Sequence, residues 1–187
     1  MNKPIGKKNI VYETNAISNY FSQNRIAFKD FYNSEKNVLE KINWFDGIKI
    51  LDVGCGCGGL GLALKQEFSI SNYVGVDIHS KSIELAKKMN QHTGFRFINQ
   101  DFLELQLEDQ FDIVISFSCV DWNVETESMI NKCWNLVKPG GKFVATFRLS
   151  NELQSIDKQS FQYINYEGEK KCEKAPYVVM GFQSFFD

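Results

Sequence analysis

The chain is 187 residues long, 43% hydrophobic and 24% charged, with Lys+Arg 21 against Asp+Glu 23 for a net charge of −2. That length suits one domain with a core that needs no staples, and the slightly acidic balance argues against a nucleic-acid grip, which needs a basic footprint. No apolar run approaches membrane-spanning length and the opening MNKPIGKKN lacks an apolar signal core, so the cytoplasm is the expected address.

Residues 1–30 are polar with scattered aromatics, Tyr12, Tyr20, Phe21 and Phe28. Asn33-Ser34-Glu35 offers a helix cap and a first-turn carboxylate, and Val38, Leu39 and Ile42 give an apolar stripe. Asp46-Gly47 predicts a turn into a first strand over 48–53. Residues 50–64 then read ILDVGCGCGGLGLAL: strand, glycine loop, helix, with Leu60, Leu64 and Phe68 on one helix face. Such a loop lays backbone N–H groups against a nucleotide-like ligand. Gly54 supplies unusual backbone angles, Gly56 admits close ligand approach, and Gly59 allows tight helix–strand packing.

A second strand is predicted over 73–76, ending in Asp77, with Ser80 as cap of a helix carrying Ile83, Leu85, Ala86 and Met89. Strand three covers 95–99 and leads to Asp101; strand four covers 111–117. A helix over 125–137 meets Lys138-Pro139-Gly140-Gly141, where Pro cannot continue the helix and Gly turns the chain. Strand five follows over 142–149. The alternation predicts an α/β fold: an open, mostly parallel, doubly wound sheet with helices on both faces. Ligands bind such sheets at the carboxyl ends of the strands, where Gly54, Asp77, Asp101 and Ser116 fall. Five cysteines, Cys55, Cys57, Cys119, Cys133 and Cys172, make an odd number in positions that look internal, so no disulfide framework is expected. Cys55-x-Cys57 lacks a second ligand pair, and no metal site is expected.

Asp77 lies about 20 residues beyond the glycines, where an acid holds a ribose diol; helix capping is the competing role. A carboxylate at Asp101 and the next backbone N–H, at Phe102, would read an adenine edge; alone, Asp101 reads as a loop or cap residue. Asp52 interrupts an apolar strand. A charge there needs a partner, either a loop N–H or a ligand ammonium.

Together, DVGCGCGG, the acid in GVDIHS, the pair in NQDFLEL and the run NLVKPGGKFV resemble the class I S-adenosylmethionine (SAM)-dependent methyltransferases over residues 30–149. The resemblance is closest to the small-molecule enzymes, including those of quinone pathways. It implies a Rossmann-like fold, SAM as cofactor and a small-molecule methyl acceptor. It places Gly54 and Gly56 against the methionine part of SAM with Asp52 near its amino group. Asp77 would hold the ribose, Asp101 and Phe102 the adenine, and Ser116 would offer backbone contacts. Cys55 and Ile78 complete the cofactor-binding set. The implied layout is one domain: residues 1–46 as a helical cap, 47–149 as the SAM-binding core, and 150–187 as an abbreviated or truncated end.

Ser118, Asp121, Trp122 and Glu125 would lie near the methyl. Many relatives carry a His about where Trp122 stands, so no catalytic residue is assigned; Asp121 reads as a base or as a cap for the following helix. His79 looks misplaced for catalysis and His92 reads as a solvated loop residue. The N-terminal aromatics, Tyr32 foremost, would form a lid over SAM or cover one end of the sheet. The sequence after strand four, SFSCVDW, carries neither an Asn/Asp-Pro-Pro-Tyr/Phe motif nor a Pro-Cys pair, which weakens nucleic-acid substrates. A non-catalytic SAM-binding scaffold and an NAD-dependent dehydrogenase are the competing readings. Asp101 and LVKPGG oppose the dehydrogenase, as does the lack of a Tyr-x-x-x-Lys pair.

The end of the chain departs from the family, whose members close with two antiparallel strands. Residues 161–166 read as a strand, GEKKCEK as a turn and PYVVMGFQSFFD as an apolar segment, with 183–187 resembling the opening of a helix. The expectation is a truncated end that leaves strand five with an open edge.

Overall fold

Five parallel strands form the central sheet of the computed structural model, which describes residues 14–150, 158–164 and 173–182. They are β1 (Lys49–Val53), β2 (Asn72–Asp77), β3 (Phe95–Asn99), β4 (Phe111–Ser116) and β5 (Val137–Ala145), in the order β3-β2-β1-β4-β5. The chain winds outward from β1 through β2 to β3, then returns to start β4 on the other side of β1. The switch point therefore lies between β1 and β4, where a crevice opens at the carboxyl ends. Two helices, α1 (Ala16–Phe21) and α2 (Asn33–Leu39), precede the sheet. α3 (Gly59–Phe68), α4 (Ser80–Met89) and α5 (Thr126–Asn135) connect its strands.

Strand alternation divides β1 between two apolar layers. Ile48 and Ile50 pack with Leu60 and Leu64 of α3 and with Ile83 and Ala86 of α4. Leu51 and Val53 pack on the opposite face with Met129 and Cys133 of α5. Leu64 is completely buried, so truncation to Ala would cost about 2–5 kcal/mol.

The first four strands match the sequence reading to within one residue at each end, and the Asp46-Gly47 turn is present with Gly47 at φ +78°. Strand five differs. Val137 already pairs with Phe111, and the register then shifts before Lys142 pairs with Ile113. The Pro-Gly-Gly run therefore does not end the helix, since α5 stops at Asn135; it forms an irregularity inside β5, with Gly140 at φ +80°. β5 ends at Ala145, and residues 148–150 belong to a separate short strand, β6 (Arg148–Ser150).

Local details differ too. Ser80 does not cap α4: His79 occupies the cap position without a side-chain bond. Val38 is exposed, while Leu39 and Ile42 are buried. A Cβ on Gly59 would lie 2.1 Å from the Arg25 carbonyl oxygen, so Gly59 admits the N-terminal segment rather than a strand. Gly61 does pack on strand side chains, against the rings of Tyr73 and Phe95.

β7 (Lys158–Ile164) and β8 (Glu173–Gly181) pair antiparallel. They join β6, not β5, as a three-stranded sheet of order β6-β8-β7. β5 is therefore an edge of the main sheet. Tyr12, Lys7-Lys8, Lys170-Lys171, Cys172 and residues 183–187 lie outside the described residues. Among the described residues, no helix is long and apolar enough to cross a membrane.

Candidate active site

A cavity of about 870 Å³ sits at the carboxyl ends of the central strands. Asp52, Gly54, Cys55, Gly56, Asp77, Ile78, Asp101 and Phe102 all line it. Ser116 does not. It is fully buried, and its hydroxyl donates to the Val53 carbonyl at 3.1 Å, tying β4 to the end of β1. The residues just after it, Phe117, Ser118 and Cys119, reach the wall instead.

The glycine loop folds back on β2. The N–H groups of Gly54 and Cys55 both donate to the Val76 carbonyl, at 2.8 and 3.0 Å. Gly54 has φ +80°, and a Cβ there would lie 2.4 Å from Cys119 Cβ, so the position requires glycine twice over. Gly56 has φ +52° but faces open space, with nothing within 4 Å of a built Cβ.

Asp77 braces this loop. Its Oδ2 accepts from the Gly56 N–H and its Oδ1 from the His79 N–H, each at 2.8 Å. Burial pushes its pKa up, against the pull of these two bonds. Asp52 projects from β1 into the layer that holds Tyr73, whose hydroxyl donates to its Oδ2. Burial raises the Asp52 pKa to about 7 despite that bond. Tyr73 is the partner that the sequence reading did not name. A pointer exists in the register, since Tyr73 stands on the neighbouring strand two residues before Gly75, which pairs with Asp52.

Asp101 lies on the cavity wall and also orders its own loop. Its Oδ1 accepts from the Leu103 N–H at 2.9 Å, and its carbonyl from the N–H groups of Glu104 and Leu105. Phe102 is buried, with the Lys132 ammonium 5.2 Å from its ring centre. Burial holds the Cys55 thiol well above the usual range and raises Cys57 to about 11, so neither presents a thiolate.

Of the residues expected beside the methyl, Ser118 and Trp122 line the cavity. Asp121 and Glu125 do not. Asp121 does not cap α5 either. It sits buried in a single turn of 3-10 helix, and its Oδ2 accepts from Arg148 Nη1 at 2.6 Å and from the Arg148 N–H at 3.2 Å. Burial raises its pKa, against the Arg148 charge. Glu125 occupies the cap position of α5. His79 is buried in a knot with Ser18 and Ser82, its Nδ1 3.0 and 2.9 Å from their hydroxyls. His92 is exposed and lies edge-on to Phe95.

The N-terminal segment contributes to the cavity wall. Tyr32 lines it while 67% exposed, and Tyr20 and Phe21 join it; Phe28 instead packs on Phe68. Arg25, at φ +60°, anchors the segment through two bonds from Nη2 to the buried Glu35 carboxylate, at 2.9 and 3.0 Å. The guanidinium also lies over the rings of Phe31 and Tyr32. Trp122, Arg148 and two residues of β7, Gln162 and Ile164, also line the cavity. Arg25 and Arg148 escaped the sequence reading because their partners come from other elements. Among the described residues no group of His, Cys, Asp or Glu could hold a metal ion.

A sheet switched at β1/β4, a glycine loop and an acid at the end of β2 define a Rossmann-like nucleotide-binding fold. The family model for a methyltransferase domain matches residues 45–180. The chain belongs to the class I SAM-dependent methyltransferases. It is 35% identical over 97 residues to the malonyl-(acyl-carrier protein) O-methyltransferase of Priestia megaterium, covering 52% of this chain and 35% of that one. It is 33% identical over 132 residues to a ubiquinone biosynthesis O-methyltransferase of Dechloromonas aromatica, covering 61% of this chain and 55% of that one. The chain spans about half the length of the curated relatives it matches. A SAM-dependent methyltransferase from Mesorhizobium loti shares the fold, with a TM-score of 0.59 at 18% identity over 82% of this chain and 77% of that one.

Proposed function

We propose that the chain binds SAM in this cavity and transfers its methyl group to a small-molecule acceptor by in-line displacement. The observation that carries the reading is the convergence of Gly56, Asp77 and Asp52 on one cavity at the switch point. The residues present fit the cofactor. Gly56 leaves open space against the main chain, and the buried Asp52, with a pKa near neutrality, suits a ligand ammonium. In this reading Asp52 holds the ammonium, Asp77 the ribose hydroxyls, and Asp101 with the Phe102 N–H the adenine edge.

SAM supplies a methyl already activated on a sulfonium. The chain's task is then to orient the acceptor, and orientation supplies much of the rate. In this reading Ser118 and Trp122 border the acceptor end; both line the cavity, as do Gln162 and Ile164. No general base is assigned, because Asp121 is engaged with Arg148. The names of the two O-methyltransferase relatives support a small-molecule acceptor, as does the net charge of −2. Four free cysteines among the described residues fit a reducing compartment such as the cytoplasm.

The test is turnover with methyl-labelled SAM against a library of phenols, carboxylic acids and amines. Label transfer with formation of S-adenosylhomocysteine is expected. SAM binding without transfer to any member would favour a scaffold role, and absence of SAM binding would overturn the reading.

A further inference from the structure

We propose that Arg148 recognises a carboxylate carried by the methyl acceptor. The inference rests on the methyltransferase reading above and assigns the acceptor's chemical class. Arg148 opens β6 and lines the cavity together with Trp122 and two residues of β7. Its guanidinium lies 4.2 Å from the Trp122 ring centre and 4.9 Å from that of Tyr177. Two aromatic rings fix the plane of the guanidinium and lower the local polarity, which strengthens any ion pair formed there.

Asp121 fixes the remaining freedom. One carboxylate oxygen takes both Nη1 and the backbone N–H of Arg148, so side chain and main chain are held together. That leaves Nε and Nη2 without a hydrogen-bond partner among the described residues, and these two donors form the fork that grips a carboxylate with parallel bonds. The side chain lines the cavity and is 34% exposed, so it is not sealed in the core. The acids that line the cavity are Asp30, in the N-terminal segment, and Asp52, Asp77 and Asp101, on β1, at the end of β2 and just after β3. Arg148 belongs to β6 and lies over Trp122, one of the two residues that the proposed reading sets at the acceptor end.

An apolar acceptor would gain nothing from a fixed guanidinium fork here. A carboxylate bound to Arg148 would reach the site already ionised. Asp121 acts on the acceptor only through Arg148, as a positioning residue.

The experiment compares benzoate with benzamide, and phenylacetate with phenylacetamide, binding to the full chain in the presence of S-adenosylhomocysteine, by ligand-observed NMR titration. Each pair differs in charge and little in shape. The wild type is expected to favour each acid by about tenfold or more. R148Q should erase that preference with amide affinity unchanged, and R148K, keeping the charge without the fork, should retain part of it. S-adenosylhomocysteine affinity reports folding of each variant; if R148Q does not fold, a loss of at least about threefold in R148K carries the test. Equal acid and amide affinities in the wild type, or an undiminished acid preference in the folded variants, overturn the assignment alone. Failure of the wild type to bind S-adenosylhomocysteine would overturn the methyltransferase reading and this assignment with it.

Discussion

The Gly56 N–H donates to Asp77 Oδ2 at 2.8 Å, which fastens the acid ending β2 to the apex of the glycine loop after β1. One carboxylate thus sets the loop and faces the cavity. Replacing it removes both functions. D77A is expected to weaken SAM binding by about 1.5–3 kcal/mol, the range for hydrogen bonds to a charged group. Calorimetry on a folded variant checks this, and unchanged affinity would remove Asp77 from the site.

Gly56 offers a different kind of test. Its side-chain direction is open, so a bulkier residue meets no protein atom there. G56V places a branched side chain in the space assigned to the ligand and strains a residue at φ +52°, a left-handed conformation costing about 1–2 kcal/mol for other residues. The expected result is a folded, destabilised protein with no measurable SAM binding. Normal binding by that variant would show that the loop does not contact SAM.

The buried pair of Asp52 and Tyr73 predicts a pH dependence. With a folded pKa of about 7 against an ordinary 3.8, Asp52 holds more protons folded than unfolded between those values. Its contribution to stability is present at low pH and falls as pH rises from about 4 towards 7. D52N should remove that share of the slope in chemical denaturation across pH. SAM affinity should move the opposite way, rising through pH 7 as Asp52 ionises to meet the ammonium, with D52N flat. A wild-type affinity independent of pH between 6 and 8 would contradict the assignment.

Arg25 and Glu35 predict an asymmetry. Glu35 is wholly buried, whereas Arg25 keeps 22% exposure. R25A leaves a buried carboxylate without its charge partner and should cost about 3–5 kcal/mol. E35A leaves a guanidinium that still reaches water and should cost less. Equal losses in thermal or denaturant unfolding would argue against that account of the N-terminal strap.

How far the fold was legible depends on how local its signals are. Apolar runs closed by glycines or acids placed β1 to β4 to within a residue because strand periodicity and turn chemistry are both local. The start of β5 was missed because Pro139-Gly140-Gly141 reads equally as a helix stop and as an irregularity within a strand, and only pairing of Val137 with Phe111 decides. Every residue assigned to the cofactor lines the cavity except Ser116, whose hydroxyl is spent on Val53, whereas Arg25 and Arg148 on the same lining carry no local signal. Asp121 carried a local helix-cap signal that lost to Arg148, 27 residues away. Tyr73 under Asp52 and Arg25 over Gly59 are likewise contacts between distant segments, which no spacing rule encodes.

The central claim is that this cavity is a SAM site. Calorimetric titration of the chain with SAM, S-adenosylhomocysteine and NAD tests it most directly. SAM and S-adenosylhomocysteine should each bind at one site and compete, with NAD showing no heat of binding. Tight NAD binding without SAM binding would contradict the account.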